Sequence, residues 1–361
     1  MPAQYVTVKK SQPEFADYLW GRLETTTHRR AIPVKTYSLG TTDESVTFEL
    51  RDIAEIKKPG PFALGAAIIK LNSFILIMFP LFYVLEKNYG AGGYLNPLAI
   101  LFAAASSVFL FAGLNVRNDV FDHISGFDRV NIDMNNKPIR MGWISAQRAS
   151  RVSRALIIFA AVLAVPAALL RPQLLWIIGT AIFLFLVGRF SKGNSYKQQH
   201  SGEVILFVLI GPALATGFQV ATGSEIDNEI LSFGALWGFL VLYLIQVNNF
   251  SHIMTSSQMG IRNTMTKLGF DWAQKFLISL WLIFLALNLS FHFNYSNIYW
   301  TVINSAVLLA VSVPTLMKIA DIKSPMGSGL QVIRKDVYRN FLIVIVLALL
   351  EASWYMWVPK N

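Results

Sequence analysis

NVRNDVFDHISGFDRVNIDMNNKPIRMGWIS, residues 115–145, places Asp119, Asp122, Asp128 and Asp133 at the end of an apolar run and follows them with Lys137 and Arg140. Carboxylates at the mouth of a membrane helix carry a desolvation cost that a purely structural segment has no reason to bear, so the stretch reads as functional. On a helix Asn115, Asn118, Asp119 and Asp122 fall at i, i+3, i+4 and i+7 and share one face. Ser125-Gly126 weakens that helix and lets Asp128 curl back toward the same point. Oxygen ligands converging in this way suit Mg²⁺, which keeps several waters and is completed by substrate phosphates. The competing reading is a solvated acidic loop, against which stands the helical register of the acids.

The rest of the chain sets this stretch in a membrane. The 361 residues are 54% hydrophobic and only 14% charged, with a mean hydropathy of +0.48, which is a polytopic membrane composition. Cysteine is absent, so disulfides and thiolate metal sites are excluded. His28, His123, His200, His252 and His292 lack ligand-like pairing, which excludes zinc chemistry. The net charge of +10 lies mostly in loops between apolar runs, where it orients the chain in an anionic bilayer; no nucleic-acid partner is implied.

Beyond Lys58-Pro59 the apolar runs lie at roughly 61–86, 94–117, 153–170, 173–188, 203–222, 231–249, 274–293, 299–319 and 340–358. The expected fold class is therefore all-α, nine transmembrane helices around a central cavity. Cations such as Arg129, Lys137, Arg140, Arg189, Lys192, Arg262, Lys267, Lys318 and Lys335 follow the even-numbered runs, whereas Lys87 and Arg171 follow odd ones. That asymmetry predicts a cytoplasmic N-terminus and cytoplasmic polar motifs. Residues 1–57 form a cytoplasmic or interfacial extension and 58–361 the membrane domain. Within the extension, Phe15, Tyr18, Leu19 and Leu23 at helical spacing predict a short helix on the membrane surface, and Ser45 to Leu50 alternate like a strand.

Other polar features mark helix ends. Asn248, Asn249, His252 and Ser256 repeat the spacing of the first motif without a carboxylate, and a capped polar helix terminus is the alternative. Tyr196 and Lys197 sit in a short loop, and Glu203 starts the fifth run, where it serves either the site or the helix dipole. Gly211-Pro212 predicts a kink in that run which widens the bundle interior. Lys70, inside the first run, either reaches a phosphate at the inner mouth or snorkels. Acids that collect Mg²⁺, cations that collect a polyphosphate and an apolar, aromatic interior together describe a site for a lipid diphosphate, whose ionisation leaves an allylic cation to be kept from water.

Asn118-Asp119-x-x-Asp122 resembles the first aspartate-rich motif of the UbiA-type superfamily of intramembrane prenyltransferases, and Asn136-Lys137-Pro138-Ile139 through Gly142-x-Ile144-Ser145 resembles the segment that follows it. The pattern from Asn115 to Asp128, Tyr196 with Gly202-Glu203 and Gly211-Pro212, and Asn248-Asn249 with Gly260 and Leu268-Gly269 are most similar to the 1,4-dihydroxy-2-naphthoate polyprenyltransferases of menaquinone synthesis. The resemblance implies Mg²⁺-dependent transfer of a polyprenyl group from its diphosphate to an aromatic acceptor, in a bacterial inner membrane with the site facing the cytoplasm. It implies Asp119, Asp122 and Asp128 as metal ligands and catalytic groups, with Asn118 supporting them. Lys137, Arg140, Arg262, Lys70 and Asn249 would contact the diphosphate, and Tyr196, Glu203, Lys197 and Asn115 would lie near the acceptor. Where the family's second motif carries acids, this chain has His252 and Ser256, with Ile261 in place of a family lysine. Transfer to another acceptor, or diphosphate binding without turnover, are the alternatives; a transporter is disfavoured by the sparseness of intramembrane charge.

Overall fold

The computed structural model describes residues 4–90, 95–130, 137–190, 200–325 and 329–357. About three quarters of the protein is helical. Among the described residues, seven helices are long and apolar enough to cross a membrane, and a bent pair, Pro61–Ile69 with Leu71–Tyr89, makes an eighth if it is one span. The run expected as the fourth span is helical over Leu174–Phe190, and among the described residues its apolar part, Leu174–Leu184, is shorter than the others.

The amino-terminal residues add a small sheet to the helices, and the strand-like alternation of Ser45 to Leu50 lies on one of its strands. Strands β1 (Gln4–Lys9), β2 (Arg29–Tyr37) and β3 (Ser45–Asp52) form an antiparallel sheet in the order β1-β3-β2. Between β1 and β2 run the short helices α1 (Phe15–Trp20) and α2 (Glu24–Thr27). Phe15 and Leu19 of α1 are buried against Val8, Val46 and Phe48 of the sheet. The apolar stripe expected to lie on a membrane surface is covered by the sheet instead; the two destinations demand the same spacing.

Contacts divide the chain into two units. The first comprises Met1–Phe74 with Ala105–Leu163, and the second Ile75–Ala104 with Ala164–Asn361. The membrane helices are α3 (Pro61–Ile69), α4 (Ile75–Gly90), α5 (Pro97–Ser125), α7 (Ala146–Leu170), α8 (Leu174–Phe190), α9 and α10 (His200–Val208 and Leu214–Thr222), α11 (Asn228–Ser251), α13 (Thr264–Tyr295), α14 (Ile298–Asp321) and α15 (Gly329–Trp357). The short helices α6 (Phe127–Val130) and α12 (Ile253–Gln258) follow α5 and α11. In the first unit, Val116 and Val120 of α5 pack with Ile139, Ala146 and Ala149, and Trp20 of α1 joins them.

In the second unit a π-helical turn at Leu209–Ala213 joins α9 to α10 and absorbs Pro212, so 202–222 remains one span. Gly211 does not open the interior as expected. A Cβ placed on it would lie 2.4 Å from the Gly234 carbonyl oxygen and 2.6 Å from Gly238 Cα, so the three glycines bring two backbones into contact. Gly238→Ala should accordingly lower stability by about 1–3 kcal/mol, read as an earlier thermal transition of the detergent-solubilised protein.

Candidate active site

The acidic face of α5 behaves locally as its spacing dictates. Asp119 and Asp122 lie on its last turns, and both are buried. Gly126, at φ +90°, then reverses the chain in a conformation a Cβ would resist, and α6 brings back Asp128, which is fully buried. The three carboxylates converge on one ammonium: Lys137 Nζ stands 3.3 Å from Asp119 Oδ1, 2.7 Å from Asp122 Oδ2 and 2.6 Å from Asp128 Oδ1. Arg140 donates to the backbone carbonyl of Asp128. Asn118 is half-buried on α5 beside Asp119.

A second cation enters from α3. Lys70 Nζ lies 2.7 Å from Asp119 Oδ1. Lys70 is not inside a continuous helix, as its apolar setting suggested, but at a break where the chain bends by 51°. Its own φ is +57°, a left-handed conformation that costs a non-glycine residue about 1–2 kcal/mol. Such strain persists where surrounding bonds over-determine it and clusters at functional sites. Here Ser73 donates to the Lys70 carbonyl at 2.7 Å, and Asn115 donates to Ser73 Oγ at 3.0 Å and to the Ile69 carbonyl at 3.3 Å. Asn115, expected beside an acceptor, is thus bonded to the break that presents Lys70. No proline or glycine marks this break in the sequence, and nothing in the spacing singles out Ser73.

Burial raises the Asp128 carboxyl to about 6, Lys137 opposing and Asp122 and Asp119 reinforcing the shift. For Lys137 burial disfavours the charge, but the three carboxylates outweigh it and hold the ammonium above the ordinary lysine range. Burial likewise lowers the Arg140 guanidinium, with Asp128 opposing. Three acids face two ammonium groups, Lys70 and Lys137, with the Arg140 guanidinium held on the Asp128 carbonyl, so cations balance the carboxylates. Among the described residues no three His, Asp or Glu side chains surround a metal-sized gap; Lys137 holds the point of convergence. Asp128 Oδ2 nonetheless remains buried without a hydrogen-bond partner among the described residues. An all-oxygen carboxylate donor set with one unused buried oxygen fits a hard divalent cation.

The other expected residues lie in the second unit or outside the described residues. Glu203 is buried, and its carboxylate accepts from Asn249 Nδ2 at 3.1 Å, from the Thr264 backbone N–H at 3.3 Å and from the Thr264 hydroxyl. It ties α9, α11 and α13 together. The expected continuous helix through Asn248, Asn249, His252 and Ser256 breaks at His252, whose φ of −115° and ψ of 19° separate α11 from α12. Asn248 and Arg262 are exposed, whereas His252 and Ser256 are buried. Tyr196, Lys197 and Asp133 lie outside the described residues.

The aromatic-lined cavity expected from composition exists within the second unit. It has a volume of about 70 Å³ and is lined by Phe79, Tyr83, Phe233, Trp237 and Phe291, with Glu351 among its polar groups. Glu229, also on its wall, and Asn249 are separated by about 30 Å of α11 at the helical rise. These rings therefore serve the opposite end of that helix from Asn249.

Three comparisons bear on this geometry. The UbiA prenyltransferase family matches residues 77–325. No curated protein matches the sequence. Among solved structures, a UbiA homolog from Archaeoglobus fulgidus bound to DMAPP and Mg²⁺ is 16% identical with a TM-score of 0.55, over 80% of this chain and 99% of that one. The same homolog bound to GPP and Mg²⁺ is 15% identical with a TM-score of 0.53, over 80% and 99%. A structure described for digeranylgeranylglyceryl phosphate synthase in membranes is 18% identical with a TM-score of 0.54, over 81% and 98%. At these identities the likeness is one of fold.

Proposed function

Given that this chain belongs to the UbiA prenyltransferase family, we propose that it transfers a polyprenyl group from an allylic diphosphate to an aromatic acceptor, 1,4-dihydroxy-2-naphthoate or a similar quinone precursor, with Mg²⁺ required. The observation that carries the reading is the convergence of Asp119, Asp122 and Asp128 on a single cation. Similar folds bound to DMAPP or GPP with Mg²⁺ support it.

Asp119, Asp122 and Asp128 would hold the ion, Asp128 through the oxygen that lacks a partner. Bound there, Mg²⁺ would supply electrostatic stabilisation of the diphosphate as the allylic C–O bond ionises. Lys137 and Lys70 now neutralise the acids. With the acids neutralised by a divalent ion, both ammonium groups would be free to hold the phosphate oxygens, together with Arg140, which now donates to the Asp128 carbonyl. The left-handed Lys70, braced by Ser73 and Asn115, is already turned toward this point, which lowers the cost of orienting it. A cytoplasmic site follows the charge asymmetry, the boundary at 57/58 the start of the apolar runs and a bacterial inner membrane the resemblance, and all three belong to the same proposal.

Polyprenyl diphosphate, Mg²⁺ and a panel of hydroxylated naphthoates and phenols, given to the purified protein, should yield a prenylated product detectable by mass spectrometry. Product from a non-aromatic acceptor alone would move the chain elsewhere in the superfamily. Tight diphosphate binding with no diphosphate release would favour the non-catalytic alternative, for which the absence of acids at His252 and Ser256 speaks.

A further inference from the structure

We infer that Glu44, on the amino-terminal sheet domain, is a positioning residue that holds Arg129 away from Asp128 and so leaves Asp128 available to a divalent cation. The inference rests on the metal role proposed for Asp119, Asp122 and Asp128.

The sheet domain grips both ends of the segment that carries the site, entirely within the first unit. At the leading end, Glu44 Oε1 accepts from Arg129 Nη2 at 3.0 Å, and the two side chains are only 4% and 3% exposed. Glu44 Oε2 also takes Lys10 Nζ at 3.0 Å and the Gly40 backbone N–H at 3.2 Å, which fixes the carboxylate. A Cβ on Gly126 would stand 2.5 Å from Leu39 Cδ1, so the loop before β3 packs directly on the turn that returns Asp128. His123 of α5 bonds the Leu19 carbonyl of α1 at 3.2 Å. At the trailing end, Arg30 of β2 donates to the Gly142 carbonyl and pairs with Glu24 at 2.6 Å, both side chains 3% exposed. A Cβ on Gly142 would meet Ile32 Cδ1 at 2.6 Å.

Fully desolvated ion pairs add little net stability, because the loss of hydration offsets the attraction. Two such pairs bracketing one loop are better explained by what they fix. Arg129 neighbours Asp128 in sequence, and its Nε and Nη1 are buried without hydrogen-bond partners among the described residues. Asp128 Oδ2 is in the same condition. A guanidinium with two unengaged nitrogens, next in sequence to a carboxylate with one unengaged oxygen that attracts it, is a competing pair, kept apart while Glu44 engages Nη2. Neutralising Glu44 leaves Arg129 a buried charge without that partner, attracted by the Asp128 carboxylate next to it in sequence, and a divalent cation would then have to displace it.

Mn²⁺ serves as the probe, its binding to the purified full chain followed by electron paramagnetic resonance without substrate. Glu44→Gln should weaken Mn²⁺ binding about tenfold, in the range seen when partners of metal ligands are lost. Glu44→Gln with Arg129→Gln should restore it, since the competitor is gone. A merely structural role for Glu44 makes the double variant no better than the single one, and that result, or unchanged binding in Glu44→Gln, overturns the inference. Should Glu44→Gln fail to fold, Arg129→Gln alone is expected to bind at least as tightly as wild type, and weaker binding overturns it equally. Asp119→Asn with Asp122→Asn separates the two levels. If that variant binds Mn²⁺ like wild type, the metal assignment itself fails; if it loses binding while Glu44→Gln does not, only the role of Glu44 fails.

Discussion

Asp119→Asn combined with Asp122→Asn should reduce product formation about 10³-fold or more, the scale on which loss of preorganised charge stabilisation is felt. The two residues sit one helical turn apart near the end of α5 and are buried, so the amides fit the same space. What disappears is two negative charges out of the three that face Lys137. Raising Mg²⁺ should not recover the rate, because an amide oxygen is a weak ligand for a hard cation. Turnover by the double variant at near the wild-type rate, measured by mass spectrometry of the prenylated product, would remove Asp119 and Asp122 from the chemistry.

Lys137→Met should have the second-largest effect, with an opposite dependence on the ion. In wild type the Lys137 ammonium is the shared partner of Asp119, Asp122 and Asp128. Withdrawing one partner from a buried charge cluster costs about 3–5 kcal/mol, so the metal-free variant should melt markedly earlier than wild type. Mg²⁺ should then raise its transition more than it raises that of wild type, since the ion no longer competes with an ammonium. Activity should still fall about 10²-fold or more, for want of the cation that turns to the diphosphate. A variant with wild-type melting and wild-type response to Mg²⁺ would mean that Lys137 does not neutralise the acids in solution.

The half of the site that was legible in the sequence is the half built from local spacing. Asn115, Asn118, Asp119 and Asp122 follow helical register on α5, and Gly126 returns Asp128 as its backbone freedom permits. The break at Lys70 was not legible, because it is imposed by hydrogen bonds from Ser73 and from Asn115, 42 residues beyond Ser73. The apolar stripe of Phe15, Tyr18 and Leu19 suits a bilayer surface as well as a sheet, and only the strands, paired across residues 4 to 52, decide between them. Glu44 and Arg129 stand 85 residues apart, so no window of sequence joins them. The break at His252 likewise interrupts a spacing that reads as one helix. Glu203, weighed between helix dipole and chemistry, is a brace among three helices because Thr264 and Asn249 come to it from distant parts of the chain.

The most direct test is a structure of the protein with Mn²⁺ and an unreactive thiodiphosphate analogue of a prenyl diphosphate, with the ion located by anomalous scattering. The metal assignment predicts a peak about 2 Å from carboxylate oxygens of Asp119, Asp122 and Asp128, with Lys137 and Lys70 turned from the acids to the phosphates. An ion bound elsewhere, with Lys137 still bridging the three aspartates and the diphosphate remote from them, would contradict it.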